Sequence, residues 1–181
     1  MRLHATADPA SVTVADIAAE AKMTAAAVYY HYATKEDILL DGLSAFAEAI
    51  SDEVRILIQP DDQRSPADLP ARLLDWLDQD RDAATVWFTH TDGLGTAVEA
   101  RRRLTNELLI AEIVRAVKSH HPEFPLPHAS VIAVGLFSAI EISARAWLVR
   151  DEVLVEGRED QFRREVAALG ARILATPAAV R

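Results

Sequence analysis

Apolar residues along this chain recur at intervals of three and four, and no apolar/polar alternation is bounded by turn residues on both sides. That period puts them on one face of an α-helix and predicts an all-α protein. Thr13 precedes the first such segment, with Asp16 three residues on. This capping-box arrangement starts a short helix whose inward stripe is Ile17, Ala18 and Ala21. Lys22 and Met23 interrupt it. Thr24 caps a second short helix running to about Tyr32. Thr34 and Asp37 cap a third, from about Lys35 to Leu57, with Ile38, Leu39, Leu43, Phe46, Ile50, Val54 and Leu57 on its apolar side. Residues 59–70 contain three prolines and read as a loop. Further helices are predicted over about 71–78, 83–91, 96–119, 128–155 and 159–174. Gly93, Gly95, the proline-rich stretch 120–127 and Gly157 separate them.

Two short capped helices joined by a tight turn have the form of a helix-turn-helix. In such a unit the second helix enters the major groove of DNA and the first crosses the backbone. Ala25 and Ala27 let that second helix approach closely and can touch a thymine methyl, and Thr24 can donate to a phosphate or a base. Tyr29, Tyr30 and Lys35 suit phosphates, which position the helix without specifying sequence. Thr13, Lys22 and His31 complete the expected DNA-facing set. Residues 1–45 form this reader domain, and residues 46–181 a helical domain.

The run TVADIAAEAKMTAAAVYYHYATKEDILLDGL, from Thr13 to Leu43, resembles the DNA-binding region of the TetR family of one-component regulators. The matching elements are T-V-x-x-I-A-x-x-A at Thr13–Ala21, V-Y-Y-H-Y at Val28–Tyr32 and T-K-E-D-I-L at Thr34–Leu39. The resemblance implies that Thr24–Tyr30 is the recognition helix. It implies phosphate contacts at Tyr29, Tyr30 and Lys35, and a small core at Ile17, Ala21, Val28 and Tyr32. It also implies a helical effector-binding domain that dimerises through its last two helices. Two features depart from the family pattern. A full helix ordinarily precedes the helix-turn-helix, whereas Met1–Thr6 is too short to replace it. The leading helix is therefore expected to be missing or truncated, which would expose Ile17, Val28 and Tyr32. The turn also carries Lys22 in place of glycine, at a position that often takes a positive φ.

Composition narrows the reading. The net charge is −9, and residues 1–45 hold three basic side chains against six acidic ones. Broad cationic coating of nucleic acid is excluded, whereas a small contact patch is not. There are no cysteines, which removes disulfides and thiol chemistry. No uncharged apolar run reaches membrane-spanning length, and the N-terminus lacks a secretory pattern, so a cytoplasmic, nucleoid-associated protein without a membrane partner is expected. No metalloprotease, phosphate-loop or dinucleotide motif is present, so neither enzymatic activity nor a cofactor is expected. His31 has no ligating neighbours, and His120 and His121 point apart, so no metal site is expected either.

In the helical domain, Trp76, Trp87, Phe88, Phe137 and Trp147 supply apolar bulk. With His90, Thr91, Asn106, Glu107, Ser138 and Glu141 as polar groups, they are candidates to line a pocket for a small organic effector. The last two helices carry apolar residues on more than one side. Val131, Val134, Ile140, Ala144, Leu148, Phe162, Val166, Leu169 and Ile173 are the candidates for a twofold homodimer interface, and the symmetry predicts a palindromic duplex operator. An effector would shift the helix Lys35–Leu57 and so change the spacing of the two recognition helices. The alternative is a helical ligand-binding or scaffold dimer whose N-terminal domain no longer binds DNA.

Overall fold

In a computed structural model of the chain, residues 1–7, 11–59, 65–90 and 95–177 are described, and among them there are helices and turns but no strand. The α-helices are α1 (Arg2–Thr6), α2 (Val14–Glu20), α3 (Ala25–His31), α4 (Lys35–Leu57), α5 (Leu69–Leu77), α6 (Arg81–Thr89), α7 (Thr96–His120), α8 (Leu126–Val149) and α9 (Glu159–Leu174). A helix of five residues forms over Arg2–Thr6, the truncated one of the two outcomes expected for the leading helix. It leans on α6 and buries His4.

Local chemistry explains the other boundary shifts. Ser65 and Asp68 cap a 3₁₀ turn over Pro66–Asp68 that runs straight into α5, so the end of the expected loop is helical instead. Asp80 caps α6, which begins at Arg81 rather than at Ala83. α8 stops at Val149, six residues before the expected end. Arg150 there adopts a left-handed conformation (φ 49°), and the Asp151 amide donates back to the Ala146 carbonyl at 3.1 Å. That bond is the six-to-one closure of a Schellman cap. The Asp151 carboxylate then holds the amides of Val153 and Leu154, both at 2.9 Å, and turns the chain toward α9.

α8 is the centre of the bundle. α5, α6, α7 and α9 all pack on it, and Ile132, Ala133, Leu136, Ile140, Ala144 and Trp147 are buried among them. With a mean hydropathy of 1.6 it is long and apolar enough to cross a membrane, yet here it is wrapped by its own chain. The core continues through Leu43, Ile50, Leu73, Leu77, Trp87, Phe88 and Ile113. Phe46 on α4 gathers Trp76, Trp87 and Phe88 around it, with ring centroids at 5.7, 5.7 and 6.4 Å. The C-terminal end of α8 is tied down by charge. Arg81 donates to the carbonyls of Trp147 and Leu148 at 3.0 and 2.9 Å, and the Trp147 indole donates to Asp78 at 3.1 Å. Arg163 on α9 lies 4.3 Å above the Trp147 ring and 2.7 Å from the Asp75 carboxylate.

α9 reaches the bundle through small residues. A Cβ at Gly135 would meet Ile173 at 3.0 Å, and one at Gly170 would sit 2.0 Å from the Ala67 carbonyl oxygen. The second contact is with backbone, which cannot swing away. Gly170→Ala should therefore destabilise the protein by about 1–3 kcal/mol, as overpacking does. Helix propensity alone predicts a gain of about 1 kcal/mol. Urea denaturation decides between them, and a stabilised variant would disprove the close approach of α9 to Ala67.

Candidate nucleic-acid interface and sensor cavity

The helix-turn-helix is built by three hydroxyl caps. The Thr13 hydroxyl accepts from the Asp16 amide at 3.2 Å, and the Asp16 carboxylate accepts from the Thr13 amide at 2.9 Å. Thr24 caps α3 through the Ala27 amide at 3.1 Å, and Thr34 and Asp37 form a second reciprocal box that opens α4. The bonds from Thr13 hold the Asp16 carboxyl below the usual carboxylate range. Between α2 and α3 the Met23 amide donates to Ala18 at 2.8 Å and the Lys22 amide to Ala19 at 3.1 Å, which is a Schellman closure. Lys22 occupies its left-handed position with φ 55°.

This frame turns one face of α3 outward. Ala25, Ala26, Tyr29 and Tyr30 are exposed in two adjacent rows, with Tyr29 and Tyr30 at 56 % and 83 % accessibility. Thr24, Lys22 and His31 border that face, and His31 meets the Tyr30 ring edge-on at 5.0 Å. Val28 points inward with Val12 and Ala18, and Ile17 and Tyr32 are half-buried. The Tyr32 hydroxyl donates to Asp41 on α4 at 2.8 Å, and that bond raises its pKa.

Several expected roles change. Ala21 is exposed and is not part of the small core, whereas Val12, unforeseen, is buried. Val28 is buried, contrary to the exposure expected for it, and Ile17 and Tyr32 are half-buried. Ala27 is half-buried beneath the outward face. Thr13 spends its hydroxyl on Asp16. The Lys35 ammonium donates to the Val12 carbonyl at 2.9 Å, tying the segment before α2 to the start of α4. Arg2 pairs with Glu20. Beside the short α1 an open groove of about 380 Å³ remains, floored by Ile17, Tyr32, Ile38 and Gly42.

Residues 1–41 match the family model of bacterial regulatory proteins of the tetR family. The chain carries that N-terminal domain. The matched residues take in α1, α2 and α3 and the start of α4. No curated protein and no solved structure matches the chain.

Beyond this tetR-type domain, the helical bundle encloses a small cavity of about 10 Å³, the room of roughly one water molecule. Of the expected effector-pocket residues, Trp87, Phe88, Phe137 and Glu141 line it. Ile50, Val54, Leu73, Leu109, Ile113 and Ile140 also line it; of these, Ile50 and Val54 were expected on the apolar side of α4 and Ile140 at the dimer interface. The other candidates lie elsewhere. Trp76 meets Phe46 at a tilt, and Trp147 is committed to Asp78 and Arg163. Glu107 and Ser138 are exposed. Asn106 is half-buried with its carbonyl oxygen unpartnered, and Thr91 falls outside the described residues. His90 ends α6, where its carbonyl accepts from Arg102 at 3.1 Å. Burial raises the pKa of Glu141 against the opposing pull of Arg102 and Arg145. Among the described residues, no group of three or more His, Asp or Glu could hold a metal ion.

The expected interface residues divide in the same way. Val131, Val134 and Leu169 are exposed. Ile140, Ala144 and Leu148 belong to the core of this chain and are not available to a partner, because α5, α6 and α7 cover that side of α8, and Val166 on α9 is buried in the same core, where α9 packs on α5 and α8. Phe162 stacks on Trp147, and Ile173 packs on Gly135. Ile142 and Val149, which the sequence reading passed over, are exposed.

Two measurements probe the reader domain. A left-handed lysine costs about 1–2 kcal/mol, of which glycine's greater freedom in the unfolded chain returns about 0.5–1 kcal/mol. Lys22→Gly should therefore stabilise the protein by up to about 1 kcal/mol in a urea titration. A loss instead would mean that the lysine side chain compensates its own strain. His4 is buried with its Nε2 unpartnered, and burial, then the chain amine, Lys35 and His90, lower its pKa. As pH falls through the ordinary histidine range near about 6.5, the unfolded chain takes up a proton that the folded chain refuses. Stability should fall between about pH 7 and 5, and His4→Leu should flatten that part of the profile. An unchanged slope would place the titration elsewhere.

Proposed function

We propose that the chain is a ligand-responsive, DNA-binding transcription regulator. It acts as a homodimer on a palindromic operator in the cytoplasm, and a small organic effector relieves its repression. The observation that carries this reading is the outward face of α3. Two tyrosines and small residues stand exposed there, on a helix fixed by caps at its start and at the start of its neighbour. Small residues permit close approach to base edges, and phenol hydroxyls reach phosphates.

Dimerisation is supported by the exposed stripe of α8. Val131, Val134, Ser138, Ile142, Arg145 and Val149 follow one another at steps of three and four, and Val131 and Ile142 are 70 % and 71 % accessible. Together with Leu169 on α9 this apolar line suits a helix packed on its symmetry mate. α4 supports the coupling. It begins beside α3 and contributes Ile50 and Val54 to the sensor cavity, so one rigid element touches both sites. The acidic balance of the reader and the engagement of Lys35 favour a second reading, a ligand-binding helical dimer that leaves duplex DNA alone.

A mobility shift with the DNA flanking the coding sequence separates the two readings. The regulator should retard a palindromic duplex, and Tyr30→Ala should weaken binding by about tenfold, the worth of one hydrogen bond to a charged phosphate. With few cations in the reader, the salt dependence should be shallow. Ile142→Asp should yield monomers in sedimentation and lose operator binding with them. No retardation by the intact chain at low salt would leave the second reading standing.

A further inference from the structure

We propose that the sensor cavity selects a lipophilic organic cation, an amine or ammonium on a flat apolar body, with Glu141 as its counter-ion. This rests on the reading of the helical bundle as an effector sensor and adds the chemical class of the effector.

Glu141 is the one charged group on the cavity wall, the rest being aliphatic or aromatic. Among the described residues its carboxylate accepts no hydrogen bond and forms no ion pair. Arg102 on α7 is near enough to feel its charge but is already placed, donating to the His90 carbonyl and lying 5.9 Å over the Trp87 ring. Arg145, the other charged group that acts on Glu141, lies on α8 itself and is exposed. α4, α5 and α6 present only apolar side chains to the cavity. The carboxyl is half-buried beside these apolar walls and still reaches solvent, and a cationic partner there would favour its charged form.

Each class of occupant affects that carboxyl differently. An anion would add a second negative charge beside it. A neutral apolar ligand would expel what water remains and leave it unpartnered. A cation supplies the missing charge, and the aromatic side chains of Phe88 and Phe137 on the wall suit a flat apolar body. The way in is also marked. Phe137 and Glu141 lie one turn apart on α8 and are half-buried, whereas Ile50, Val54 and Ile113 opposite them are sealed. The cavity now has room for about one water, so a ligand enters by turning Phe137 aside and pressing on Ile50 and Val54 of α4.

The test is calorimetric titration of the full chain with three probes of one shape: 2-naphthylmethylamine, 2-naphthylmethanol and 2-naphthoate. The amine should bind at least about tenfold more tightly than the alcohol, with the naphthoate weakest, as expected for a buried charge pair. Glu141→Gln should remove the amine's advantage and leave the alcohol unchanged. In the wild-type chain a permanent cation, (2-naphthylmethyl)trimethylammonium, should bind more tightly as pH rises from about 5 to 8, while the alcohol's affinity stays level. That wild-type pH series decides the matter even if the variant fails to fold. Equal binding of amine and alcohol, tighter binding of the naphthoate, no binding of any probe, or an advantage that survives Glu141→Gln would each overturn the proposal. A mobility shift run alongside separates the two readings. Operator binding without amine selectivity overturns the ligand class alone, whereas amine selectivity without operator binding overturns the regulator and leaves the ligand class intact.

Discussion

The burial of α8 governs the rest of the structure. A helix of this length whose apolar residues cover most of its circumference cannot rest on a surface by one face. Four helices of the same chain surround it, and the order of those helices along the sequence sets the fold. The apolar transfer energy gained there is large, on the order of 1.5–3 kcal/mol for each buried aliphatic or aromatic side chain. The charged clamp of Arg81, Asp78 and Arg163 around Trp147 then fixes where the helix ends relative to α6 and α9. What remains outside is a single stripe, and that stripe is where a second copy has room.

The same constraint shapes the sensor. Aromatic side chains from α6 and α8 fill the space between α4 and α7 almost completely, leaving a cavity near the size of a water molecule. A close-packed interior of this kind answers a ligand by displacement of whole helices rather than by local softness. α4 is the element placed to carry such a displacement, since the Thr34 cap anchors it beside α3. The contact of α1 with α6 adds a second junction between the two parts, with His4 buried in it and His90 close by at the end of α6.

The elements of the reader were legible because their determinants are local. Thr13 with Asp16, Thr24, and Thr34 with Asp37 satisfy orphan amides within three residues of themselves, so spacing alone locates each helix start. The departure at Lys22 was legible for the same reason, since a Schellman closure calls for a left-handed residue wherever it occurs. Arg2–Thr6 was not legible. Five residues make no stable helix alone, and this one persists against α6, far away in sequence. The end of α8 was missed on similar grounds. Its apolar period runs on past Val149, and only the left-handed Arg150 and the cap from Asp151 interrupt it.

For the two candidate sites the division runs between period and partner. The sequence by itself determined which residues lie on an inward or outward row of each helix, because 3.6 residues per turn fixes their direction. It thus determined the outward tyrosines of α3 and the apolar character of α8 and α9. Tertiary packing decided which neighbour each inward row met. Ile140, Ala144 and Leu148 look the same in sequence as Val131 and Val134, yet α5, α6 and α7 stand over the first group and leave the second bare. Glu141 gained its place on the cavity wall, and Lys35 its bond to Val12, in the same way. A helix carries its own periodicity, but which of its faces is covered depends on chain far removed in sequence, and only the folded arrangement of all the helices decides it.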